Sequence, residues 1–230
     1  MSAARRCSWL RTKPASSSGI RCWRMAGSMS PPRCSNRAEY SDAMAGLSFG
    51  DPRQAEGVIV QTAFVVRDLA KAVQHWSATV GAGPFFRADL CVRSIFRGRP
   101  ATSDVSLAVG YHGDMMIELV QPRSGDRNIY AEYLDARGEG LHHLQLHTAD
   151  PDAAAARYAA AGCGTVSRSE SADFGCSLFV DTLDQLGYYL EFGAYPTAIT
   201  DLVEEFRQTH AAWNGSRPMR AYPPPARKTL

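Results

Sequence analysis

Three of the chain's six histidines lie in one short segment, GEGLHHLQLHTAD, which runs from Gly138 to Asp150. Alternate side chains of a β-strand point to opposite faces, so His143, Gln145 and His147 are expected on one face. The opposite face is expected to carry His142, Leu144 and Leu146. The pattern therefore predicts a strand with one face toward a cleft and the other toward the core.

Further groups with metal-binding chemistry occur at corresponding places in the chain. Glu118 lies within the apolar segment MMIELV and Glu191 within YYLEFG, while Gln61 and His143 each precede an aspartate by seven residues. A carboxylate among apolar residues is costly unless it is paired, solvated or bound to a metal. One imidazole, two carboxylates and one amide oxygen suit a divalent ion such as Zn²⁺, Ni²⁺, Co²⁺, Mn²⁺ or Mg²⁺. These four residues are our candidate metal ligands.

The same residues also have a simpler interpretation. Gln61, Glu118 and Glu191 could be polar side chains on the open face of a half-exposed sheet. Gln145, His147 and Tyr189 are expected behind the ligands or in the wall of the cleft, because a metal-bound histidine usually needs a partner behind it.

A repeated order of elements positions these residues. VIVQTAFVVRDLAKAVQHWSATVG and LHHLQLHTADPDAAAARYAAAG each combine a strand with an amphipathic helix, and three strand-like segments follow each of them. The repeat predicts two βαβββ modules, residues 57–122 and 140–196, within one domain of residues 57–196. We expect an α+β fold in which an open, curved, mixed but mainly antiparallel sheet surrounds a cleft and helices cover its outer face.

The two ends of the chain differ from this domain. Residues 1–56 are rich in arginine and serine, and their first acidic residue is Glu39. They could be an organelle transit peptide, a disordered tail, or a stretch translated from a start codon placed too early, with the true start at Met29 or Met44. Residues 197–230 are expected to form a terminal helix followed by a disordered, proline- and arginine-rich tail.

The composition excludes several classes of protein. Of the residues, 45% are hydrophobic and 21% charged, as in ordinary globular proteins. The net charge of +2 is too small to indicate a nucleic-acid or anionic-membrane partner, and no apolar run has the length of a membrane span. The six cysteines lack paired spacing, which favours reduced thiols in a cytoplasmic protein. Import into an organelle through the N-terminal extension is the alternative.

An ordered set of motifs resembles a known superfamily. QTAFVVRDLAKAV, MMIELVQP, NIYAEYLDARGEGLHHLQLHTAD and YYLEF together resemble the vicinal oxygen chelate proteins, which include glyoxalase I, methylmalonyl-CoA epimerase, bleomycin-resistance proteins and extradiol dioxygenases. The resemblance covers residues 58–195 and is closest to the epimerase-like branch. It implies a glyoxalase-like fold and frequent homodimerisation.

The resemblance also implies roles for individual residues. Members place metal ligands at the positions of Gln61, Glu118, His143 and Glu191, the second histidine of the pair being the ligand. Epimerases usually have histidine in place of Gln61 and glutamine in place of Glu118, so this ligand set is more similar to that of eukaryotic glyoxalase I.

Two functions are compatible with these observations. The first is a metal-dependent isomerase, epimerase or lyase that moves a proton next to a carbonyl or thioester, with Glu191 as ligand and catalytic base. An acyl-CoA is one candidate substrate. The second is a non-catalytic protein that sequesters a small molecule, as bleomycin-resistance proteins do.

Overall fold

The computed structural model describes residues 57–171 and 174–223. Our predictions for residues 1–56 and for the end of the tail, residues 224–230, lie outside the described residues. No helix in the described ranges combines the length and apolar character that crossing a membrane requires.

The described chain alternates strands and helices in the predicted order. Its strands are β1 (Ile59–Val65), β2 (Phe85–Phe96), β3 (Arg99–His112), β4 (Met115–Gly125), β5 (Gly140–His147), β6 (Thr165–Ser171), β7 (Gly175–Val180), β8 (Tyr189–Ala194) and β9 (Met219–Ala221). Its helices are α1 (Leu69–His75, extended by a π-helical turn over Trp76–Val80), α2 (Ile129–Arg137), α3 (Pro151–Ala160), α4 (Leu183–Leu186) and α5 (Thr197–Ala211).

The strands form one mixed, mainly antiparallel sheet in the order β3-β4-β1-β5-β8-β7-β6-β2-β9. Strand β2 also pairs with β3, so the sheet curls around and closes on itself, with β9 as an extra strand beside β2. Each module has the same internal pairing, because its first strand runs parallel to its last strand. The two first strands, β1 and β5, join the modules as antiparallel neighbours. The predicted fold class is confirmed.

Short polar side chains start the helices that follow the first strands. The Asp68 carboxylate accepts the backbone N–H of Lys71 at the start of α1, and Asp150 accepts that of Ala153 at the start of α3. Such caps satisfy backbone donors that have no partner within the helix. The N-cap predicted at Asp150 is confirmed.

The helices pack on both faces of the curled sheet. Helices α1 and α3 cover the outer face, as predicted: Leu69 packs against Leu119, and Ala154 packs near Phe192. By contrast, α2 and α5 lie against the inner face, α2 in a cluster with Val65 and α5 in clusters with residues of β2, β3 and β4. The interior is therefore filled from two sides, and a cavity remains between them.

The C-terminal segment is more ordered than its composition indicates. The predicted helix is present as α5, but the prediction of a disordered tail is wrong for Met219–Ala221, which pairs in parallel with Phe85–Arg87. Backbone pairing and packing on an existing sheet stabilise this segment, and a compositional argument takes neither into account.

Candidate active site

The strand register brings the four candidate ligands onto one face of the sheet. Glu118 on β4 and His143 on β5 are both paired with the same residue of the intervening strand β1. One row away, Gln61 on β1 is paired with Gln145 on β5, which is paired in turn with Glu191 on β8. Since paired residues point to the same face of a sheet, all five side chains project into the interior.

The side chains of these residues meet in the interior. Nε2 of His143 lies 2.8 Å from Oε2 of Glu191 and 3.7 Å from Oε2 of Glu118. The Gln61 side chain hydrogen-bonds to the Glu118 carboxylate. The His143 side chain is fully buried, and those of Glu118 and Glu191 are only 12% and 6% exposed. A sheet face exposed to water is thus the wrong description of their surroundings.

Glu191 is held by a network of hydrogen-bond donors. Ser177 Oγ donates to its Oε1, and so does the Tyr195 hydroxyl at 3.1 Å, while Nε2 of Gln145 donates to Oε2 at 2.9 Å. Burial alone would raise the pKa of Glu191, but the neighbouring His143 and the hydrogen bonds from Ser177 and Gln145 outweigh burial and lower it. Glu191 is therefore an ionised carboxylate with a fixed orientation.

Glu118 has the opposite character. Burial, with a contribution from the nearby Glu191 charge, raises its pKa to about 7, although His143 and the hydrogen bond from Gln61 oppose the rise. The same site thus contains one carboxyl group that stays ionised and another that exchanges its proton near neutral pH. Two carboxyl groups with pKa values pushed apart are the usual arrangement for acid–base chemistry.

A β-bulge decides the position of the histidine pair. The register of β5 against β1 shifts between Leu141 and His143, so His142 is the extra residue. The prediction that His142 shares a face with Leu144 and Leu146 is therefore wrong, because the bulge interrupts strict alternation. His142 instead turns inward, and its Nδ1 lies 2.9 Å from Nδ1 of His143.

The buried histidine pair also orients Nε2 of His143. Burial, and secondarily the adjacent His143, lowers the pKa of His142 far below its ordinary value, so its ring is neutral. Nε2 of His142 faces the carbonyl oxygen of Ile129 at 3.4 Å, and a proton there makes its Nδ1 an acceptor. Nδ1 of His143 then carries the proton shared between the two rings. This hydrogen bond fixes the His143 ring with its Nε2 directed at the two carboxylates.

These residues fit a divalent ion in their donor chemistry. Nε2 of His143 is buried 2.8 Å from Oε2 of Glu191, and it has no other hydrogen-bond partner among the described residues. Two carboxylates would balance the charge of the ion, and the amide oxygen of Gln61 is a further donor. In the ranges that the structure describes, no three His, Cys, Asp or Glu side chains are spaced to hold an ion as they stand. The carboxylates and the imidazole contact one another instead.

The residues expected around the ligands occupy different places. Gln145 lines the cavity and links Glu191 to Tyr195. Tyr189 is fully buried behind the site, with its ring 5.1 Å from that of His142. His147 is partly buried, and its Nδ1 has no hydrogen-bond partner among the described residues. Of the three, only Gln145 lies among the cavity-lining residues.

Several residues of the site were missed in the sequence. Ser177 and Tyr195 hold Glu191, yet neither has a motif that would single it out. Tyr130 lines the cavity, and its ring lies 6.5 Å from that of His143. The sequence did contain a signal for the position of Tyr130. Asn128 is a favourable N-cap residue, and its side chain accepts the backbone N–H of Tyr130, which places Tyr130 in the first turn of α2.

A cavity of about 320 Å³ opens beside the four candidate ligands. Gln61, Glu118 and Glu191 form its polar end, and much of the remaining lining is apolar. Such a cavity is at the small end of the range for small-molecule sites. It suits a compact ligand, or one end of a larger one, with a polar group directed at the carboxylates.

Comparison with known protein families identifies one match. The sequence model of the Glyoxalase/Bleomycin resistance protein/Dioxygenase superfamily matches residues 60–177. The comparison with curated proteins found no match.

Among solved structures, the chain is similar to the hypothetical protein BH1468 from Bacillus halodurans C-125, with 18% identity, a TM-score of 0.47, and 60% of this chain and 94% of that chain covered. The methylmalonyl-CoA epimerase from Mycobacterium tuberculosis has 19% identity and a TM-score of 0.43, with 64% and 95% covered. A variant of the Streptomyces coelicolor epimerase in complex with 2-nitronate-propionyl-CoA has 21% identity and a TM-score of 0.41, with 60% and 96% covered.

Proposed function

Because the chain belongs to the glyoxalase/bleomycin resistance protein/dioxygenase superfamily, we propose that it is a metal-dependent isomerase, epimerase or lyase. The proposed reaction is proton transfer at a carbon next to a carbonyl or thioester group. The observation that carries the proposal is the convergence of Gln61, Glu118 and Glu191 at the polar end of one cavity. Buried behind them, Nε2 of His143 lies within 4 Å of both carboxylates. A fold alone would not specify this chemistry, whereas two buried carboxyl groups facing a ligand cavity support it.

Gln61, Glu118, His143 and Glu191 would hold the ion. A divalent ion bound there would polarise the carbonyl oxygen and stabilise the negative charge that develops when the neighbouring carbon loses its proton. The protein itself orients the ligands: the His142 ring fixes that of His143, and the donors around Glu191 fix its carboxylate.

The hydrogen bonds indicate different roles for the two carboxylates. The sequence predicts Glu191 as the base, but both of its oxygens are occupied by protein donors, from Ser177 and Tyr195 on one side and Gln145 on the other. Glu118 has fewer fixed partners. We therefore assign the proton transfer to Glu118 and a positioning role to Glu191.

Tyr130 is a candidate hydrogen-bond donor to the substrate. Burial, followed by the charges of Glu118 and Glu191, raises its pKa well above the ordinary value. The phenol thus stays protonated, and its hydroxyl can donate to an oxygen of a ligand in the cavity.

Solvent-exchange experiments test the proposal. The protein would be loaded with Zn²⁺, Ni²⁺, Co²⁺ or Mn²⁺ and incubated in D₂O with a panel of acyl-CoA and 2-oxo compounds, and deuterium at the α-carbon measured by NMR. Glu118→Gln should slow exchange by about 10²–10⁴-fold. Glu170→Gln is the matched control, because Glu170 lines the cavity near its mouth but pairs with Arg168.

The outcomes separate enzyme from sequestering protein. Exchange that requires both the metal and Glu118 supports the proposal. The proposal would be contradicted if none of the compounds exchanged its α-proton and ligand binding survived replacement of both Glu118 and Glu191. That result would favour a sequestering protein. Unchanged exchange in Glu118→Gln with loss in Glu191→Gln would restore Glu191 as the base.

A further inference from the structure

The C-terminal segment formed by α5 and β9 contributes part of the cavity wall. Ile199, Thr200 and Val203 of α5 line the cavity, as does Tyr222 directly after β9. This segment lies outside residues 60–177, the part of the chain that the superfamily model matches. The wall is therefore an addition to the shared domain that reaches the same cavity as the candidate ligands.

The segment is packed firmly onto the inner face of the first module. The Phe206 ring stacks on that of Phe86 with centroids 3.8 Å apart and an interplanar angle of 6°. Val203 belongs to the same buried cluster. At the end of α5, the His210 ring bridges the backbone of two loops, with Nδ1 facing the Gly83 carbonyl and Nε2 accepting the N–H of Gly113. These contacts fix the wall at several points along α5.

Strand β9 limits the mouth of the cavity. Strand β2 pairs with β9 at Phe85–Arg87 and with β6 at Ser94–Phe96. Residues 88–93 lie between these two pairings, and most of them line the cavity. Tyr222 donates its backbone N–H to the Arg87 carbonyl at 2.7 Å, which places its side chain at this edge. Access to the cavity is thus bounded by β6 on one side and by the C-terminal segment on the other.

We propose that Ile199, Val203 and Tyr222 determine specificity by setting the length of the ligand that the cavity accepts. The orientation of that ligand rests on the proposed function, with its carbonyl directed at Glu118 and Glu191. The ligand class is then a carbonyl compound with a short apolar chain, because the wall closes the cavity beside the carboxylates. Val203 belongs to one buried cluster with Val109 and Met116, which pair with Glu118 and Gln61 in the sheet. In a larger substrate, only the acyl part would lie inside a cavity of about 320 Å³.

A homologous series of alkan-2-ones tests the proposal through binding alone. The affinities of butan-2-one to decan-2-one for the full-length protein would be measured by ligand-observed NMR titration. Affinity should rise about fourfold for each added methylene until the chain meets α5, and then fall. Val203→Ala should move the maximum to longer ketones, and Val203→Trp should move it to shorter ones.

Leu202→Ala is the matched control. Leu202 neighbours Val203 and is buried in the same cluster, but it is not one of the residues that line the cavity. The Leu202→Ala variant should bind most tightly the same ketone as the wild type does. Circular dichroism would check that each variant is folded. The proposal is overturned if the maximum stays in place in both Val203 variants, or if Leu202→Ala moves it equally. A maximum that moves as expected, with no ketone or thioester exchanging its α-protons, would support the wall and contradict the proposed reaction.

Discussion

In the metal-free protein, the free energy of unfolding should depend on pH partly through the candidate site. Replacing Glu118 with glutamine should remove most of that dependence. The pKa of Glu118 is raised to about 7 in the folded chain, mainly by burial, against an ordinary value of 4.5. The folded state therefore binds this proton more tightly than the unfolded state. The free energy of unfolding is unaffected by Glu118 below about pH 4.5 and falls as the pH rises through about 7.

The magnitude follows from the difference between the two pKa values. Each tenfold difference in proton affinity corresponds to about 1.4 kcal/mol, so a fully ionised Glu118 lowers the free energy of unfolding by about 3 kcal/mol. Most of this loss, about 2–3 kcal/mol, occurs between pH 5 and pH 8. For a chain of this size, the corresponding shift in Tm is about 5–10 °C.

Urea unfolding of the full chain in EDTA at several pH values measures the effect. The free energy of unfolding of Glu118→Gln should exceed that of the wild type at pH 8, and the two values should approach each other at pH 5. Glu191→Gln is the contrasting variant. Because Ser177, Tyr195 and Gln145 donate to an ionised Glu191, its replacement should destabilise the protein by about 2–3 kcal/mol at pH 8.

Two results would refute this reasoning. Parallel pH profiles for the wild type and Glu118→Gln would mean that Glu118 titrates in the folded chain as it does in the unfolded chain. Stabilisation by Glu191→Gln would mean that the donors around Glu191 do not compensate for the burial of its charge.

Three further perturbations test other parts of the structure. A His143→Ala, Glu191→Gln double variant should lose the divalent ion that we expect the wild type to retain; equal metal content in elemental analysis would contradict the candidate site. Gly193→Ala places a methyl group against the Tyr195 ring, which must move away from Glu191; we expect weaker metal binding in calorimetry, and an unchanged affinity would count against the network. Phe206→Ala should lower the free energy of unfolding by about 3–5 kcal/mol in urea, because it empties a packed aromatic site, whereas a loss below about 1 kcal/mol would contradict the packing described for α5.

The sequence predicted the fold class and the four candidate ligands through local patterns. The repeated order of strand and helix is visible in hydrophobic periodicity, which depends only on residues close in the chain. Gln61, Glu118, His143 and Glu191 could be aligned because each has a corresponding place in a module. The structure brings them together in one interior, while their roles as ligands and the homodimer stay predictions.

Other features depended on contacts between distant parts of the chain. The bulge at His142 results from the pairing of β5 with β1, and no alternation pattern within β5 could reveal it. The different surroundings of Glu118 and Glu191 arise from donors supplied by other segments, among them Ser177 and Gln145. Composition indicated a disordered tail, yet part of it pairs with β2.

The amino-acid sequence by itself determined which elements form and which side chains each strand carries, because backbone propensity and apolar periodicity act over a few residues. Only the tertiary structure decided the protonation behaviour of the two carboxyl groups and the shape of the cavity. Both depend on burial and on partners far away in the chain. The pKa of Glu118 is raised because folding removes its carboxyl group from water. The cavity wall exists because α5 packs against the inner face of the first module.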